Sequence, residues 1–288
     1  MKPARFAMER PRDLAAALSM IAAADGTTKI MAGGQSLGPM LNLRLIEPER
    51  VVDISGVPEL RRIVRTDGSL VIGACVTHAD IEDGRVPDVA NGMMARVAAG
   101  IAYRAVRNRG TIGGSLAHAD PAADWVSGLS ALGAEVEIAA QARKGRRVAL
   151  REFVLGALDV ALAPDELVTA VRVPALPPSA RWGYVKHCRK VGEFADAIGA
   201  VVIDPEGGYG RAVIGAAEAA PVVIEDARIL FGGAIGPSFA SRFDASAADA
   251  ALAAAGMSDP VDRHVHVTVL RRAIDQASDG RAKVQDAA

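Results

Sequence analysis

The sequence predicts an α+β fold built in three consecutive units, and three patterns along the chain carry that prediction. The first stretch alternates strand, helix, strand, turn and strand. A middle stretch mixes a hairpin and alternating strands with long runs of small apolar residues. After Pro174, Pro177 and Pro178, three strand patterns separated by glycine turns read as an antiparallel meander followed by helices.

In the first unit Arg5–Ala7 reads as a short strand. Pro11-Arg12-Asp13 opens a helix through Leu14, Leu18 and Ile21, apolar at helical spacing, and Asp25-Gly26 ends it. Lys29–Ala32 is the next strand and Val51–Ile54 another, closed by Ser55-Gly56 and Pro58. In the second unit Leu60–Arg65 and Leu70–Ile72 form a hairpin across Asp67-Gly68. Thr77 caps a helix that runs through Ile81. Val89–Ala102 reads as a buried helix, and Asp120–Leu132 as another with Pro121 in its first turn. Ala134–Ala140, Arg147–Leu150 and Leu167–Val173 read as strands of one sheet. In the third unit Arg181–Arg189, Ala197–Ile203 and Gly210–Ala216 form the meander. Ser246–Ala255, capped by Ser246, and Val265–Ala277 are its helices, with Pro260-Val261-Asp262 between them. The last few residues are expected to fray.

Composition narrows the function. The chain has 288 residues, half of them hydrophobic and 23% charged, which is ample for a core and suggests two domains with a further subdivision. A formal net charge of −1 gives no electrostatic reason to bind nucleic acid or an anionic membrane. The two cysteines, Cys75 and Cys188, exclude a disulfide scaffold and a four-cysteine metal or iron–sulfur site within this chain, and fit a reducing cytoplasm. Met1–Arg12 lacks an apolar core with a cleavage site, so no signal peptide is read, and no run reaches the length of a membrane span.

Two glycine loops stand out. Ala32-Gly33-Gly34-Gln35-Ser36-Leu37-Gly38-Pro39 follows a strand and precedes a helix start. Adjacent glycines let the backbone turn sharply and let a ligand approach, while free N–H groups at a helix start favour an anion. The loop reads either as a phosphate cradle or as a plain strand-to-helix turn. Arg107-Asn108-Arg109-Gly110-Thr111-Ile112-Gly113-Gly114-Ser115 is the second loop, followed by Asp120-Pro121-Ala122-Ala123-Asp124. Two such loops could bracket a diphosphate, with Asp124 free to accept from a ribose or base edge. Neither matches the dinucleotide fingerprint of alternating glycines, and no Gly-Lys-Ser/Thr phosphate loop is present.

Together these loops resemble the FAD-binding subunit of the molybdenum hydroxylases, the relatives of xanthine dehydrogenase and carbon monoxide dehydrogenase. The resemblance covers nearly the whole chain. Arg5-Phe6 and Pro11 match its opening, Val52-Asp53-Ile54-Ser55 its third strand, and Tyr184-Val185-Lys186 the start of its last domain. It implies an FAD-binding fold of two α/β subdomains, 1–58 and 59–176, and a carboxy-terminal flavoprotein domain, 177–288, with a small antiparallel sheet and helices. It implies that Ala32, Gly33, Gly34, Gln35, Ser36 and Leu37 hold the FAD diphosphate, mainly by backbone N–H groups. Thr111, Gly114 and Ser115 approach from the second loop, and Asp124 contacts the ribitol or ribose side. Ile101 and Ala102 are the apolar pair beside the flavin, Leu167 and Val168 an apolar wall, and Lys186 closes the site from the last domain and brings positive charge near the reduced flavin. On this reading a Cβ at Gly33 or Gly34 would occupy the diphosphate's place. Two departures fall at the flavin edge: Tyr103-Arg104-Ala105 where relatives often read His-Pro-Gln, and Lys190 and Glu193 where many carry Arg and Asp.

The function implied is an electron-transfer subunit of a cytoplasmic complex. A small partner would carry two [2Fe–2S] clusters and a large partner a molybdenum–cytosine dinucleotide, the whole a dimer of heterotrimers. No residue of this chain then serves as a catalytic acid, base or metal ligand. The alternatives are a self-contained FAD-dependent oxidoreductase of the same fold and a cofactor-free binding module.

Other candidates read as structural. His78-Ala79-Asp80 and His118-Ala119-Asp120 lack further ligands at metal spacing, so caps and loop hydrogen bonds are expected. Arg143–Arg147 reads as a solvated basic turn or, in the alternative, as a contact for an acidic partner surface; Asp165-Glu166 reads as a loop acid pair, and Cys188 as a structural thiol.

Overall fold

The computed structural model describes residues 2–24 and 26–279. Asp25 and the carboxy-terminal residues expected to fray lie outside the described residues.

The first sheet is three-stranded and parallel, in the order Ala7–Glu9, Arg50–Asp53, Thr28–Met31. The opening strand lies two residues beyond the expected Arg5–Ala7. Asp13 caps the helix Leu14–Ala22 by accepting from the Ala16 N–H. Ala17 and Ile21 turn that helix onto Val52, Ile54, Val57, Leu60 and Cys75.

The second sheet is five-stranded and antiparallel, in the order Ile63–Thr66, Ser69–Gly73, Glu166–Pro174, Glu135–Ala140, Arg146–Ala149. The hairpin turns at Asp67-Gly68 as expected, with Gly68 at φ +71°. Leu60 and Arg61 do not extend its first strand; Pro58–Arg61 is a 3₁₀ turn that buries Leu60 under the first helix. Pro174 is still paired, with Ser69, so the linker begins after it. The long helix expected over Val89–Ala102 is shorter, Met93–Ala99. Asn91 at φ +51° and Gly92 at φ +86° stop it extending backwards. The helix expected from Asp120 begins at Asp124. Asp120 instead folds back to accept from the Ala122 N–H, and Pro121 lies in that turn. Thr77 and Asp80 form the capping box of helix His78–Glu82, which satisfies two otherwise orphaned donors. Short elements without a clear sequence signal are the helix Arg104–Arg107 and the hairpin Val154–Gly156 with Asp159–Val160.

The third sheet is antiparallel, Arg181–His187, Ala197–Asp204, Tyr209–Gly215, Val222–Ile224. Its first three strands are the meander read from the sequence. Its central strand is buried on both faces because the sheet serves two cores. Trp182, Tyr184, Ile198, Ala200, Val202 and Val213 join the core of the second sheet. Val201, Ile203, Ala212 and Ile214 face the carboxy-terminal helices. Those helices are Ala245–Ala254, capped by Asp244 rather than Ser246, and Pro260–Ser278, which starts at Pro260 under the Asp259 cap rather than at Val265. The last helix sits against Gly183 and Gly199: a Cβ at Gly199 would lie 2.7 Å from the Leu270 Cα, and one at Gly183 would run into the Ala273 carbonyl.

Among the described residues, no helix is long and apolar enough to cross a membrane.

Candidate functional site

A cleft of about 530 Å³ opens where the three sheets meet. That is the size of a small-molecule site. Its walls include Ala32, Gly33, Gly34, Gln35, Ser36, Leu37, Ile101, Ala102, Thr111, Gly114, Ser115, Asp124, Leu167, Val168 and Lys186. Every residue that the resemblance assigns to the cofactor therefore lines one cavity, from segments far apart in the chain.

The first loop supplies one jaw. It leaves the strand Thr28–Met31, turns through Gly34 at φ +72°, and enters the helix Leu37–Asn42. Gly34 is required there by its backbone, since a left-handed residue with a Cβ is strained. Gln35 Nε2 donates to the Gly33 carbonyl at 3.3 Å and stiffens the turn. Among the described residues, no acceptor meets the N–H groups of Gly33, Gly34, Gln35, Ser36 and Leu37. They form a row of donors along the cleft, suited to an anion.

Gly33 plays a different part from the one expected. A Cβ there would run into the backbone carbonyl of Arg109 on the second loop, not into the cleft. Gly33 is small so that the two loops can touch. A Cβ at Gly114 would likewise meet Thr111 Oγ1 at 2.7 Å, with Ala32 Cβ at 3.6 Å.

The second loop is mostly satisfied internally. Thr111 caps the helix Ile112–His118 by accepting from the Gly114 N–H at 3.2 Å, and the Gly113 N–H donates to the Ala74 carbonyl at 2.9 Å. This jaw positions the first one and offers the half-buried Ser115 hydroxyl.

The third wall is charged and dry. Asp124, 6% exposed, opens its helix at the cleft. The sequence reading of a free acceptor is corrected here: the Tyr184 hydroxyl donates to Oδ1 at 2.7 Å and Lys186 Nζ to Oδ2 at 3.0 Å. Burial pushes the Asp124 carboxyl above the usual carboxylate range despite the lysine and tyrosine that oppose this. Burial also holds the Tyr184 phenol well above its ordinary value, so its proton stays in place to donate. A carboxylate has about four lone-pair sites, so Asp124 keeps capacity for a ligand hydroxyl. Lys186 is 11% exposed and spends much of its charge on Asp124. Tyr184 is not among the site residues read from the sequence, although strand alternation from Lys186 points to it: Trp182, Tyr184 and Lys186 lie two apart and share a face.

Leu167 and Val168 both line the cleft, and as strand neighbours they turn to opposite faces: Leu167 packs into the core under the first helix and Val168 into the core of the second sheet. Next to them Glu166 accepts from Arg146 at 2.9 and 2.7 Å and from the Ala163 N–H at 2.9 Å. The Arg146 hydrogen bonds pull its carboxyl down to about 2. The basic turn and the acid pair are thus each other's partners, with Asp165 paired to Arg143.

His78 also lines the cleft and was read from the sequence only as part of a cap. Its Nδ1 accepts from the Trp125 indole at 3.0 Å, which puts the ring proton of the neutral form on Nε2. Burial, helped by the Arg107 charge, lowers its pKa to about 4, so it is neutral at pH 7. Beyond Ile101 and Ala102, the loop bearing Gly192, Glu193 and Phe194 forms the outer rim.

Among the described residues, no three His, Cys, Asp or Glu side chains converge to hold a metal ion. A donor row for an anion, a buried hydroxyl-accepting carboxylate, one half-buried lysine and long apolar walls together fit a large anionic cofactor with an apolar ring.

Comparison with known proteins agrees with this chemistry. Residues 4–176 match the family described as "FAD binding domain in molybdopterin dehydrogenase". The chain is similar to the carbon monoxide dehydrogenase medium chain of Afipia carboxidovorans, 32% identical over 98% of this chain and 100% of that protein. It is similar to the nicotine 6-hydroxylase medium subunit of Paenarthrobacter nicotinovorans, 39% identical over 74% of this chain and 69% of that protein. Among solved structures, quinoline 2-oxidoreductase of Pseudomonas putida 86 superposes with a TM-score of 0.83 at 32% identity, covering 98% of this chain and 100% of that chain. Carbon monoxide dehydrogenase of Hydrogenophaga pseudoflava superposes with a TM-score of 0.84 at 30% identity, covering 97% and 99%.

Proposed function

We propose a specific role for this chain, which belongs to the family of FAD-binding domains of the molybdopterin dehydrogenases: it conducts electrons from [2Fe–2S] clusters on a small partner subunit to an external acceptor. Its complex includes a large molybdenum subunit, with molybdenum–cytosine dinucleotide, on which an organic or inorganic substrate is oxidised. We assign the complex to the cytoplasm as a dimer of heterotrimers, and divide this chain at 1–58, 59–176 and 177–288.

FAD, when bound, supplies the exchange between one-electron and two-electron carriers. The chain's own residues bind, orient and shield. The N–H row from Gly33 to Leu37 takes the diphosphate, with the Ser115 hydroxyl opposite. Asp124 accepts from a sugar or ribitol hydroxyl while Tyr184 and Lys186 hold its carboxylate still. Ile101, Ala102, Leu167 and Val168 keep water from the ring. Lys186 leaves a residual positive field near it, reduced by its 3.0 Å pair with Asp124. The observation that carries this reading is the row of unengaged N–H donors on residues that line a cleft whose other walls come from all three units.

The test is purification of the native complex. Stoichiometric FAD, with iron and molybdenum on copurifying subunits, is the expected result. A complex without visible flavin absorption overturns the reading, and substrate turnover by this chain alone would favour a self-contained oxidoreductase.

A further inference from the structure

The turn at Ile101–Ala102 is held by a device that the cofactor reading does not use. Ala102 has φ +41°, a left-handed backbone costly for a residue with a Cβ. It follows the helix Met93–Ala99 and precedes the helix Arg104–Arg107, whose last residue folds back beneath it. Arg107 Nη1 donates to the Ile101 carbonyl at 3.0 Å and to the Ala102 carbonyl at 3.0 Å. Its Nε and Nη2 form a two-pronged pair with Glu82 Oε2 and Oε1, both at 2.8 Å. The Arg107 side chain is 12% exposed and that of Glu82 18%, so water competes little for either. Glu82 stands at the end of helix His78–Glu82, whose start is locked by the Thr77–Asp80 box. The planar guanidinium therefore links a rigid helix to two successive carbonyls of a strained turn. On the turn's other side, Gly192 of the rim packs close: a Cβ there would lie 3.3 Å from both the Ala102 carbonyl oxygen and the Tyr103 ring.

We propose that Arg107, oriented by Glu82, is a positioning residue for the flavin ring. It pins the Ile101–Ala102 turn in its left-handed form, so that these two residues present a fixed apolar wall to the isoalloxazine. The inference rests on the reading that Ile101 and Ala102 flank the flavin. A lysine cannot replace the arginine, since one ammonium on a flexible stem does not reproduce the fork. Loss of the clamp lets the turn relax toward an unstrained backbone, moves the wall, and admits water to the ring.

The experiment uses the whole complex, deflavinated and reconstituted with FAD. In the Arg107→Lys complex, saturating FAD binds at full stoichiometry, but its dissociation constant rises about tenfold, the scale of a lost charge-assisted hydrogen bond. The visible flavin band shifts and loses its vibrational structure, and the flavin reduction potential moves with it. Glu82→Ala produces the same spectral change. Ala102→Gly removes the strain that the clamp opposes, since glycine adopts φ +41° freely, so in that background Arg107→Lys shifts the spectrum and the dissociation constant much less. A merely structural ion pair would give equal effects in both backgrounds, and that equality overturns the proposal. So does an Arg107→Lys complex with wild-type flavin spectrum, potential and affinity. A wild-type complex that binds no FAD at all overturns the cofactor reading instead. If Arg107→Lys fails to assemble, Glu82→Gln, which keeps one acceptor oxygen, gives the same readouts in smaller measure, and their absence there counts against the proposal.

Discussion

Lys186→Met tests the buried charges of the cleft directly. Lys186 Nζ lies 3.0 Å from Asp124 Oδ2, with side chains 11% and 6% exposed. At an effective dielectric constant of about 20, that separation corresponds to a gross attraction of about 5.5 kcal/mol. Much of it offsets the cost of removing two ions from water. The methionine variant leaves the buried Asp124 with Tyr184 as its side-chain donor and no cation beside it, and an uncompensated buried charge costs about 3–5 kcal/mol. Burial already raises the Asp124 carboxyl, and loss of the lysine raises it further. An acid whose folded pKa is raised is best tolerated when protonated, so the deficit of Lys186→Met relative to wild type is largest at neutral pH and shrinks as pH falls toward the carboxyl's own range. Lys186→Met/Asp124→Asn removes both charges and keeps an acceptor for the Tyr184 hydroxyl. It should lose at least about 2 kcal/mol less than the sum of the single variants. Urea unfolding can be followed by the fluorescence of Trp125 and Trp182, which are 1% and 2% exposed. Additivity of the two substitutions within about 0.5 kcal/mol, or a single-variant loss under about 1 kcal/mol, refutes the argument.

Three further outcomes follow from the geometry. Gly33→Ala drives a methyl into the Arg109 carbonyl and should cost about 1–3 kcal/mol in thermal stability together with flavin content, whereas loss of flavin at unchanged Tm would restore a direct clash with the cofactor. His78→Gln keeps an acceptor for Trp125 but does not titrate. Because the folded-state pKa of His78 is depressed from 6.5 to about 4, wild-type stability should fall by up to about 3 kcal/mol as pH drops through that window, and the variant should show a flatter profile by denaturant titration. Gly199→Ala pushes against Leu270 and should loosen the last helix, read as faster limited proteolysis within Pro260–Ser278 at a stability cost of about 1–3 kcal/mol.

The parts of the site legible in the sequence were those whose chemistry is local. Two glycine loops, a Thr77 cap and a three-strand meander each depend on residues within a few positions of one another. What escaped depends on distant partners. Gly33 invites a ligand explanation until Arg109 is seen behind it. Asp124 looks like an open acceptor until a strand 60 residues away brings Tyr184 to 2.7 Å. Arg107 lies in a recognisable motif, but nothing local says that its fork points back to two carbonyls and across to Glu82. Element boundaries slipped for similar reasons. Asp244 outcompetes Ser246 as a cap because its carboxylate reaches two N–H groups, those of Ser246 and Ala247. Apolar Leu60 belongs to a 3₁₀ turn because its buried place under the first helix outweighs its strand-like neighbours.

The strand Arg181–His187 carries Trp182, Tyr184 and Lys186 on one face, and its placement depends on the meander behind it and on the last helix behind that. On the proposed site, a cofactor touching residues 33–37, 101–124, 167–168 and 186 meets its full set of contacts only when the most distant segments of the chain have docked. Retention of the cofactor would then report that all three sheets are in place, since a chain lacking the third offers only part of the site. By mass action the ligand in turn stabilises the whole chain rather than one sheet, by about 4 kcal/mol when free cofactor exceeds its dissociation constant a thousandfold.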